Sequence, residues 1–486
     1  MSDGEARAAR QAALTPDLCV IGAGARGIAI ASAAAAFGVP VVLIERGEPG
    51  GSEAALVLKA LVEAGARAQA IRDAERLGAG TDPAAPWRGE RLHDHVQRVL
   101  SVPRANHSAE RLAALGVTLL RGEARFVSRS TVAVGERRIK ARRFVIATGS
   151  APALPIALAG LDPATVLTEN GLAGMVRLPE RLAVLGGGPR AVALGQALQR
   201  LGSSVAIVAP SGLLPHHDAE AVMLLRRRLL REGLELHEDA EFARAEGDAK
   251  GVRLTAVAAG GERLIEAKSV LVPGDARQAQ IGGLELDLAG IGSDEAGIVV
   301  DAGLRTANRR VYAVGSCAGG AAAVTDALAG EEHVGLVVKA VLLRQAGRIE
   351  PARTARTVWS RPGIATIGAP LAAADQAPGR LRVLRWPFAE TPAAFAAGES
   401  EGFVKIVTDA RGRILNVTIA GDGAGEAIAP WCVALKAGLT VRQLAEVAFP
   451  GLSLSEASRR AALAFLLPST RSPVIRRWIG LLRRLG

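Results

Sequence analysis

The sequence contains little cysteine and few aromatic residues. The three cysteines among its 486 residues, Cys19, Cys317 and Cys432, form no C-x-x-C pair. Their wide spacing argues against a disulfide scaffold and a cysteine-based metal cluster, and it fits a reduced, cytoplasmic protein. Aromatic residues make up 3% of the chain, so we expect a core of small and aliphatic side chains.

The sequence also lacks a long uninterrupted apolar run. The first 17 residues carry charges and no apolar signal core, so neither secretion nor a leader helix is indicated. The most apolar segment, residues 18–44, is interrupted by glycines and by Arg26, which favours a strand-helix-strand unit over a membrane span. A length of 486 residues indicates about three domains.

Acidic residues are outnumbered by basic ones, with a formal net charge of +11. This excess permits contact with nucleic acid or with an anionic membrane. The arginines are scattered and not interleaved with aromatic residues, which argues against nucleic acid. We interpret Arg226, Arg227 and Arg228 as the solvated face of a helix. We interpret His216 and His217 as capping or solvated residues at a helix start, in preference to a metal site.

Residues 17–45, DLCVIGAGARGIAIASAAAAFGVPVVLIE, contain a complete pattern for dinucleotide binding. The apolar run 18–21 predicts a buried parallel strand, and Gly22, Gly24 and Gly27 follow with the spacing G-x-G-x-x-G. Gly22 permits a tight turn, Gly24 lets the backbone approach a pyrophosphate, and Gly27 lets the next helix pack close to the sheet. Residues 41–44 predict a second strand, and Glu45 at its end can accept both hydroxyls of an adenosine ribose.

A second pattern of this kind lies in residues 178–210. Gly186 and Gly188 keep the first two glycine positions, and Ala191 takes the third, which such loops tolerate. The second strand ends at Ala209, without an acid for a ribose hydroxyl or an arginine for a 2′-phosphate. The loop supports binding of a nicotinamide dinucleotide and the strand end does not, so we expect weak or absent reaction with NADH and NADPH.

The last part of the chain has a different pattern. Residues 402–421 alternate as in an antiparallel hairpin that turns at 409–412. Helices are predicted at about 424–437 and 454–467.

Six segments follow one another along the chain: DLCVIGAGARG, FVIATGSAP, LAVLGGGP, LRTANRRVYAVG, GFVKIVTDARGRIL and LSLSEASRRAA. Their order and spacing resemble the pyridine nucleotide-disulfide oxidoreductases, and most of all the mercuric reductase-like and dihydrolipoamide dehydrogenase-like members of that family. The resemblance implies an α/β fold with two Rossmann-like domains, of FAD and NAD(P) type, and a C-terminal α+β dimerisation domain. The expected bounds are 1–152 and 276–350 for the FAD-binding domain, 153–275 for the NAD(P)-binding-like domain, and 351–486 for the dimerisation domain. It also implies a homodimer whose C-terminal segment completes the partner's active site.

The resemblance also assigns cofactor contacts. Those to FAD would come from Gly22, Gly24, Gly27, Glu45, Gly51, Thr148, Gly149, Gly315 and Ser316. Those to a nicotinamide dinucleotide would come from the loop with Gly186, Gly188 and Ala191.

The sequence departs from this family where the family carries its thiol chemistry. The family has two cysteines, four residues apart, shortly after the glycine pair matched by Gly50 and Gly51, whereas this chain has SEAALVL there. Phe449 stands at the position of the C-terminal histidine base, while Glu456 remains. A dithiol beside the flavin must accept electrons and pass them on. Disulfide or mercuric-ion reduction by the family's mechanism is therefore expected to be impossible.

Three further positions differ. Ala193 stands where the family has a glutamate, which pairs near the flavin N5 with the lysine matched by Lys59. Ser316 stands where the family has an aspartate that holds the flavin ribityl chain. GDARQAQ replaces the family's G-R-x-P-N turn. Two interpretations of Lys59 stay open. Its ammonium could stabilise a reduced anionic flavin or bind an anionic substrate, or its stem could only pack against the protein.

These features predict a FAD-binding flavoprotein that carries out direct flavin redox chemistry on an unknown substrate. Lys59 and Glu456 are its candidate catalytic residues. The alternative is a non-catalytic flavin-binding or assembly subunit.

The C-terminal segment, VIRRWIGLLRRLG, predicts an amphipathic helix. Its apolar residues from Val474 to Leu485 fall on one arc and its four arginines on the other. We prefer packing of the apolar arc on the protein. The alternative is weak peripheral contact with an anionic membrane, with Trp478 at the level of the headgroups.

Overall fold

The computed structural model describes residues 13–51, 53–78, 89–248, 250–320, 330–370, 381–470 and 472–484. In residues 13–152 the strands are β1 (Leu18–Ile21), β2 (Val41–Glu45), β3 (Val117–Arg121), β4 (Ala124–Ser128), β5 (Thr131–Val134), β6 (Arg137–Ile139), β7 (Arg143–Ile146) and β8 (Ser150–Pro152). The helices are α1 (Ala25–Ala36), α2 (Ala54–Asp73), α3 (Gly89–Asn106) and α4 (Ala109–Ala114). The strand, helix and strand predicted within residues 17–45 are confirmed.

Residues 156–272 form a second sheet with its own helices. The strands are β9 (Val166–Thr168), β10 (Arg181–Leu185), β11 (Ser204–Ala209), β12 (Glu235–Glu238), β13 (Glu241–Asp248), β14 (Gly251–Ala258), β15 (Gly261–Ala267) and β16 (Ser269–Val272). The helices are α5 (Glu169–Leu172), α6 (Pro189–Arg200) and α7 (Ala219–Arg231). The order β12-β11-β10-β16-β9 is parallel throughout, and β13, β14 and β15 form an antiparallel sheet beside it.

The chain then returns to the first sheet. Its next elements are β17 (Arg277–Ala279), β18 (Ser293–Asp294), β19 (Gly297–Ile298), β20 (Val311–Ala313) and α8 (Glu331–Leu342). β20 pairs with β7, which gives the parallel order β20-β7-β1-β2-β3. The return places the loop after β20 at the carboxyl edge of the first sheet, beside the loop after β1.

The last part of the chain is built on an antiparallel sheet, ordered β21-β22-β25-β24-β23. Its strands are β21 (Arg356–Val358), β22 (Gly363–Gly368), β23 (Leu381–Pro387), β24 (Phe403–Asp409) and β25 (Ile414–Gly421). Its helices are α9 (Pro392–Ala396), α10 (Ala424–Ala427), α11 (Ala429–Ala437), α12 (Val441–Glu446), α13 (Ser455–Leu463), α14 (Leu467–Thr470) and α15 (Pro473–Leu482). β24 and β25 confirm the predicted hairpin.

Small and aliphatic side chains fill the cores, as the composition predicts. β1 and β2 are buried along nearly their whole length, because helices cover both faces of a parallel sheet. Helix α2 packs closely on α6, where a Cβ at Gly65 would lie 2.9 Å from the Ala197 carbonyl oxygen. This packing joins the first and second parts of the chain.

The basic run on α7 is more than a solvated face. Arg226 binds Glu238, and Arg228 binds Glu232, each at 2.6 Å between nitrogen and oxygen. The Arg228 side chain is mostly buried. The interpretation as a solvated face is therefore wrong for Arg228, whereas Arg226 is 37% exposed and Arg227 is exposed.

The histidines before α7 do not cap it. The Asp218 carboxylate accepts the N–H groups of Glu220 and Ala221 at the start of the helix. His217 is largely withdrawn from solvent, and burial lowers its pKa to about 4. The interpretation of His217 as a capping or solvated residue is therefore wrong, because Asp218 fills that place.

Helix α15 is amphipathic, as predicted, and has no buried residue in the single chain. Its exposed apolar residues include Trp478, which is 59% exposed. The apolar arc does not pack on the described residues of its own chain, so the preferred interpretation is wrong for the single chain. Leu485 lies outside the described residues.

Candidate functional site

A cavity of about 590 Å³ lies at the carboxyl edge of the first sheet. The loops after β1, β2, β7 and β20 meet there, which is where parallel α/β sheets bind ligands. The cavity brings together most of the predicted FAD contacts, namely Gly22, Gly24, Glu45, Gly51, Thr148, Gly149, Gly315 and Ser316. Gly27 is buried behind them, in α1.

The glycines after β1 have the geometry that the motif predicts. Gly22 has a φ of +103°, and a Cβ there would lie 2.5 Å from the Ala147 carbonyl oxygen. A Cβ at Gly27 would overlap the Gly22 carbonyl oxygen. Helix α1 has no side-chain cap and no acidic residue in its first turn, and Ala25 and Arg26 of that turn line the cavity. This helix end can therefore bind an anion.

Glu45 is fixed at the end of β2 by two backbone donors. One carboxylate oxygen accepts the Ala23 N–H at 2.7 Å, and the other accepts the Gly47 N–H at 3.0 Å. A carboxylate has about four acceptor positions. Two hydroxyl groups of a ribose can therefore bind to the remaining ones.

Elsewhere in the cavity lining, the Thr148 hydroxyl oxygen is buried and has no hydrogen-bond partner among the described residues. Buried polar atoms are normally paired, so a ligand with a polar group at this place would complete the site. Ser316 lies beside Gly149: a Cβ at Gly149 would be 3.9 Å from the Ser316 hydroxyl.

The loop after β20 is held by a buried histidine. The Gly315 N–H donates to His333 Nδ1 at 3.2 Å. His333 is 1% exposed, and burial, followed by the charge of Arg26, lowers its pKa to about 4. A neutral imidazole therefore positions Gly315 at the cavity.

Lys59 and Glu456 do not line the cavity of the single chain. Lys59 Nζ lies 2.8 Å from Glu63 and 4.2 Å from the centre of the Trp359 ring. Glu456 pairs with Arg460 at 2.7 Å. A catalytic role for either residue stays a prediction.

The second glycine loop is formed as its sequence predicts. Gly186 has a φ of +106°, Gly188 precedes the first turn of α6, and Ala191 is fully buried. The Asp275 carboxylate lies at this helix start and accepts the N–H groups of Arg190 at 3.0 Å and Ala191 at 2.8 Å.

Sequence reasoning missed the arginines of the cavity. Among the described residues, four arginines line it, namely Arg26, Arg46, Arg190 and Arg277. Arg190 binds Glu169 at 2.6 Å, and Arg277 donates to both the hydroxyl and the carbonyl oxygen of Ser150. The signal for Arg26 and Arg190 was their position within the two glycine loops, and nothing local to Arg277 pointed to the cavity.

No described cysteine can form a pair with another. Cys19 lies inside β1 and Cys317 in the buried loop after β20, while Cys432 lies on α11 in the last part of the chain. Burial raises the pKa of the Cys317 thiol. A raised pKa disfavours the thiolate, which is the reactive form. The described residues also contain no group of three or more potential metal ligands.

Comparison with known proteins identifies the family. The model of the pyridine nucleotide-disulphide oxidoreductases matches residues 13–347, and that of their dimerisation domain matches residues 354–462. The chain belongs to this family of flavoprotein oxidoreductases, and the predicted fold class is confirmed. None of the described helices is long and apolar enough to cross a membrane.

Relatives of known activity are similar over nearly the whole chain. A mercuric reductase from Lysinibacillus sphaericus is 30% identical, over 92% of this chain and 82% of its own length. A dihydrolipoyl dehydrogenase from Thermus scotoductus is 31% identical, over 93% and 97%. The crystal structure of LpdA from Mycobacterium tuberculosis superposes with a TM-score of 0.81 at 24% identity, over 92% and 99%, which shows a shared fold.

Proposed function

We propose that this protein is a FAD-binding oxidoreductase that works without a redox dithiol, by direct exchange of electrons between the flavin and a small substrate. One contrast carries the proposal. The cavity keeps Glu45 and the glycine loop that suit FAD, whereas its lining includes no cysteine.

The residues of the cavity fit FAD. The pyrophosphate would bind at the start of α1, the adenosine ribose at Glu45, and polar atoms of the cofactor would reach the unpaired Thr148 hydroxyl. When bound, FAD supplies an acceptor and donor of electrons. The chain's own task is to hold the cofactor, exclude water and place the substrate beside it.

The start of α2 supports a mechanism without thiols. Ala54 and Ala55, three and four residues after Gly51, line the cavity, in the stretch where related enzymes carry their cysteine pair. Methyl groups there can pack against a flavin and cannot accept its electrons. The substrate must therefore meet the flavin itself.

The second loop lacks two features that would support electron supply from NADH or NADPH. Ala209 ends β11 without a carboxylate for a ribose, and Ala193 is buried in the core. We expect slow or absent reduction of the flavin by either dinucleotide.

A non-catalytic role is the second candidate. Both candidate catalytic side chains are held elsewhere in the single chain, Lys59 by Glu63 and Trp359, and Glu456 by Arg460. A flavin-binding or assembly subunit would need neither residue. The two candidates differ in whether the reduced flavin is reoxidised by any substrate.

The absorption spectrum of the purified protein tests the proposal. We expect a flavin spectrum with about one FAD per chain after purification or after reconstitution. A colourless protein that takes up no FAD on refolding with excess cofactor would remove the proposal.

The dimerisation domain of the family supports homodimer formation, and we propose a homodimer here. The last part of the chain exposes large apolar side chains, with Leu452 at 78%, Phe395 at 74% and Val433 at 67%. Stable dimers bury such residues. Light scattering should give twice the chain mass, and Val433→Asp should lower it, whereas the matched change Leu264→Asp in β15 should not. A monomeric wild-type protein at micromolar concentration would contradict the proposal.

Helix α15 has an uncovered apolar arc and a basic face, which suits weak contact with an anionic membrane. Cosedimentation with anionic vesicles, lost at high salt and on deletion of residues 474–486, would support this contact. Absence of cosedimentation would contradict contact with an anionic membrane.

A further inference from the structure

The second glycine loop carries its own anion. Asp275 follows β16, whose carboxyl end lies beside that of β10, the strand that leads into the loop. Its two carboxylate oxygens accept the N–H groups of Arg190 and Ala191, at 3.0 and 2.8 Å. Pro189, the first residue of α6, has no N–H group. The donors of this first turn are therefore already occupied.

The carboxylate also fills the space in front of the loop. A Cβ at Gly188 would collide with the Asp275 carboxyl group. Gly188 is the second glycine of the motif, the point where the backbone approaches the pyrophosphate of a dinucleotide. A pyrophosphate at this place would collide with the Asp275 carboxyl group. Burial raises the pKa of this carboxyl, so the steric overlap is the firmer part of the conflict.

Backbone contacts hold Asp275 and the residue before it in this position. The Arg190 side chain binds Glu169 in a buried pair at 2.6 Å, and Glu169 also accepts the Gly274 N–H at 3.2 Å. The residue directly before Asp275 is thus tied to the same cluster. Displacing Asp275 would disturb buried polar contacts on both sides of it.

The first loop differs in where the Glu45 carboxylate binds. The first turn of α1 opens onto the cavity through Ala25 and Arg26. Among the described residues, the Glu45 carboxylate accepts the N–H of Ala23, which precedes the helix. The two loops therefore share a backbone form and differ in access for a phosphate.

We propose that the Asp275 carboxylate takes the place of a dinucleotide pyrophosphate, so that this residue excludes NAD(H) and NADP(H) from the second loop. The inference deepens the proposed function, since it names the residue that prevents a nicotinamide dinucleotide from delivering electrons. The blocked second loop can be tested without bound flavin, because FAD is proposed to bind at the first loop.

Direct titration calorimetry of the full chain with NADH and with NADPH tests the proposal. The wild-type protein should show no saturation up to about 1 mM of either, because pyrophosphate binding at a helix start requires free N–H donors. Asp275→Gly frees both donors and should bind NADH at least about tenfold more tightly, a change of about 1.4 kcal/mol.

Asp218→Asn is the matched control. Asp218 also accepts two N–H groups at a helix start in the same part of the chain. Because it also binds Lys405 Nζ at 2.8 Å, the affinity of Asp218→Asn is measured on protein shown to be folded. This variant should gain no affinity. Asp275→Asn, which keeps the side-chain shape and removes the charge, should gain less than Asp275→Gly, and it serves as the reporter if the glycine variant does not fold.

Wild-type binding of NADH or NADPH in the micromolar range would overturn the proposal. So would folded Asp275 variants that gain no affinity. A protein that fails to retain FAD would contradict the proposed function. The Asp275 proposal would still be tested by the difference between the wild type and the Asp275 variants, because all of them share the same first loop, so the two failures are distinguishable.

Discussion

The two glycine loops of this chain have nearly the same backbone and face different surroundings. The loop after β1 opens onto a cavity with a fixed carboxylate, Glu45, and an unpaired hydroxyl, that of Thr148. The loop after β10 faces the Asp275 carboxylate. A strand-loop-helix unit can thus be kept for packing alone. We propose that dinucleotide binding depends on the side chain that faces the start of its helix.

The largest effect is expected from a substitution that disrupts the first glycine loop. Gly27→Ala places a Cβ against the Gly22 carbonyl oxygen, and overpacking at a rigid backbone contact costs about 3 kcal/mol or more. We expect a lower denaturant midpoint and loss of bound FAD. Ala191→Gly, at the equivalent place in the second loop, should cost only about 1 kcal/mol. A Gly27→Ala protein with wild-type stability and full flavin would show that the close packing is not required.

Glu45 should matter for affinity more than for folding. Glu45→Gln weakens charge-assisted hydrogen bonds, which contribute about 1.5–3 kcal/mol, so FAD should bind about 10- to 100-fold more weakly. Fluorescence titration of the apoprotein measures this change. Glu48→Gln is the control, because Glu48 is exposed and pairs with Arg121. Equal effects of the two variants would argue against ribose binding by Glu45.

Acid should loosen the loop after β20. Burial lowers the pKa of His333 to about 4, below its ordinary value, so the unfolded chain binds the proton more readily than the folded one. The stability contributed by neutral His333 is present above about pH 6.5 and is lost as the pH falls towards 4.

The measurement is the melting temperature of wild type and of His333→Asn between pH 7 and pH 4.5. Asparagine can still accept the Gly315 N–H and does not titrate in this range. The variant should lose less stability on acidification than the wild type. Identical slopes would assign the acid sensitivity to other groups, such as His217, whose pKa burial also lowers to about 4.

The smallest effect is expected at Lys59. Its ammonium contacts Glu63 and the Trp359 ring, so Lys59→Met should cost about 0.5–1 kcal/mol of stability. It should leave the flavin reduction potential unchanged. Glu63→Gln, which removes the same ion pair, is the control. A shift of the potential in Lys59→Met alone would support the catalytic role that the sequence suggested.

Most of the fold and the first loop could be predicted from local sequence. The strand, glycine loop, helix and strand of residues 17–45 depend on backbone rules that act within a few residues, and the hairpin of β24 and β25 follows from alternation. Glu45 was found because its role is tied to the end of a strand.

Contacts between residues that are far apart in the sequence could not be predicted in this way. Asp275 lies 84 residues from Ala191, whose N–H it accepts, and His333 and Gly315 meet only when the chain returns to the first sheet. His217 was misread because a short histidine pair carries no signal of its own burial. The apolar arc of α15 follows the predicted periodicity, yet periodicity does not identify what covers it.

An anaerobic titration of the purified, FAD-loaded protein with dithionite tests directly whether the flavin works without a redox dithiol. A flavin without a dithiol accepts two electrons, so about one equivalent of dithionite should bleach it fully. An enzyme with a redox disulfide stores two further electrons in its thiols. A need for about two equivalents, with a long-wavelength thiolate-to-flavin band midway, would contradict the account.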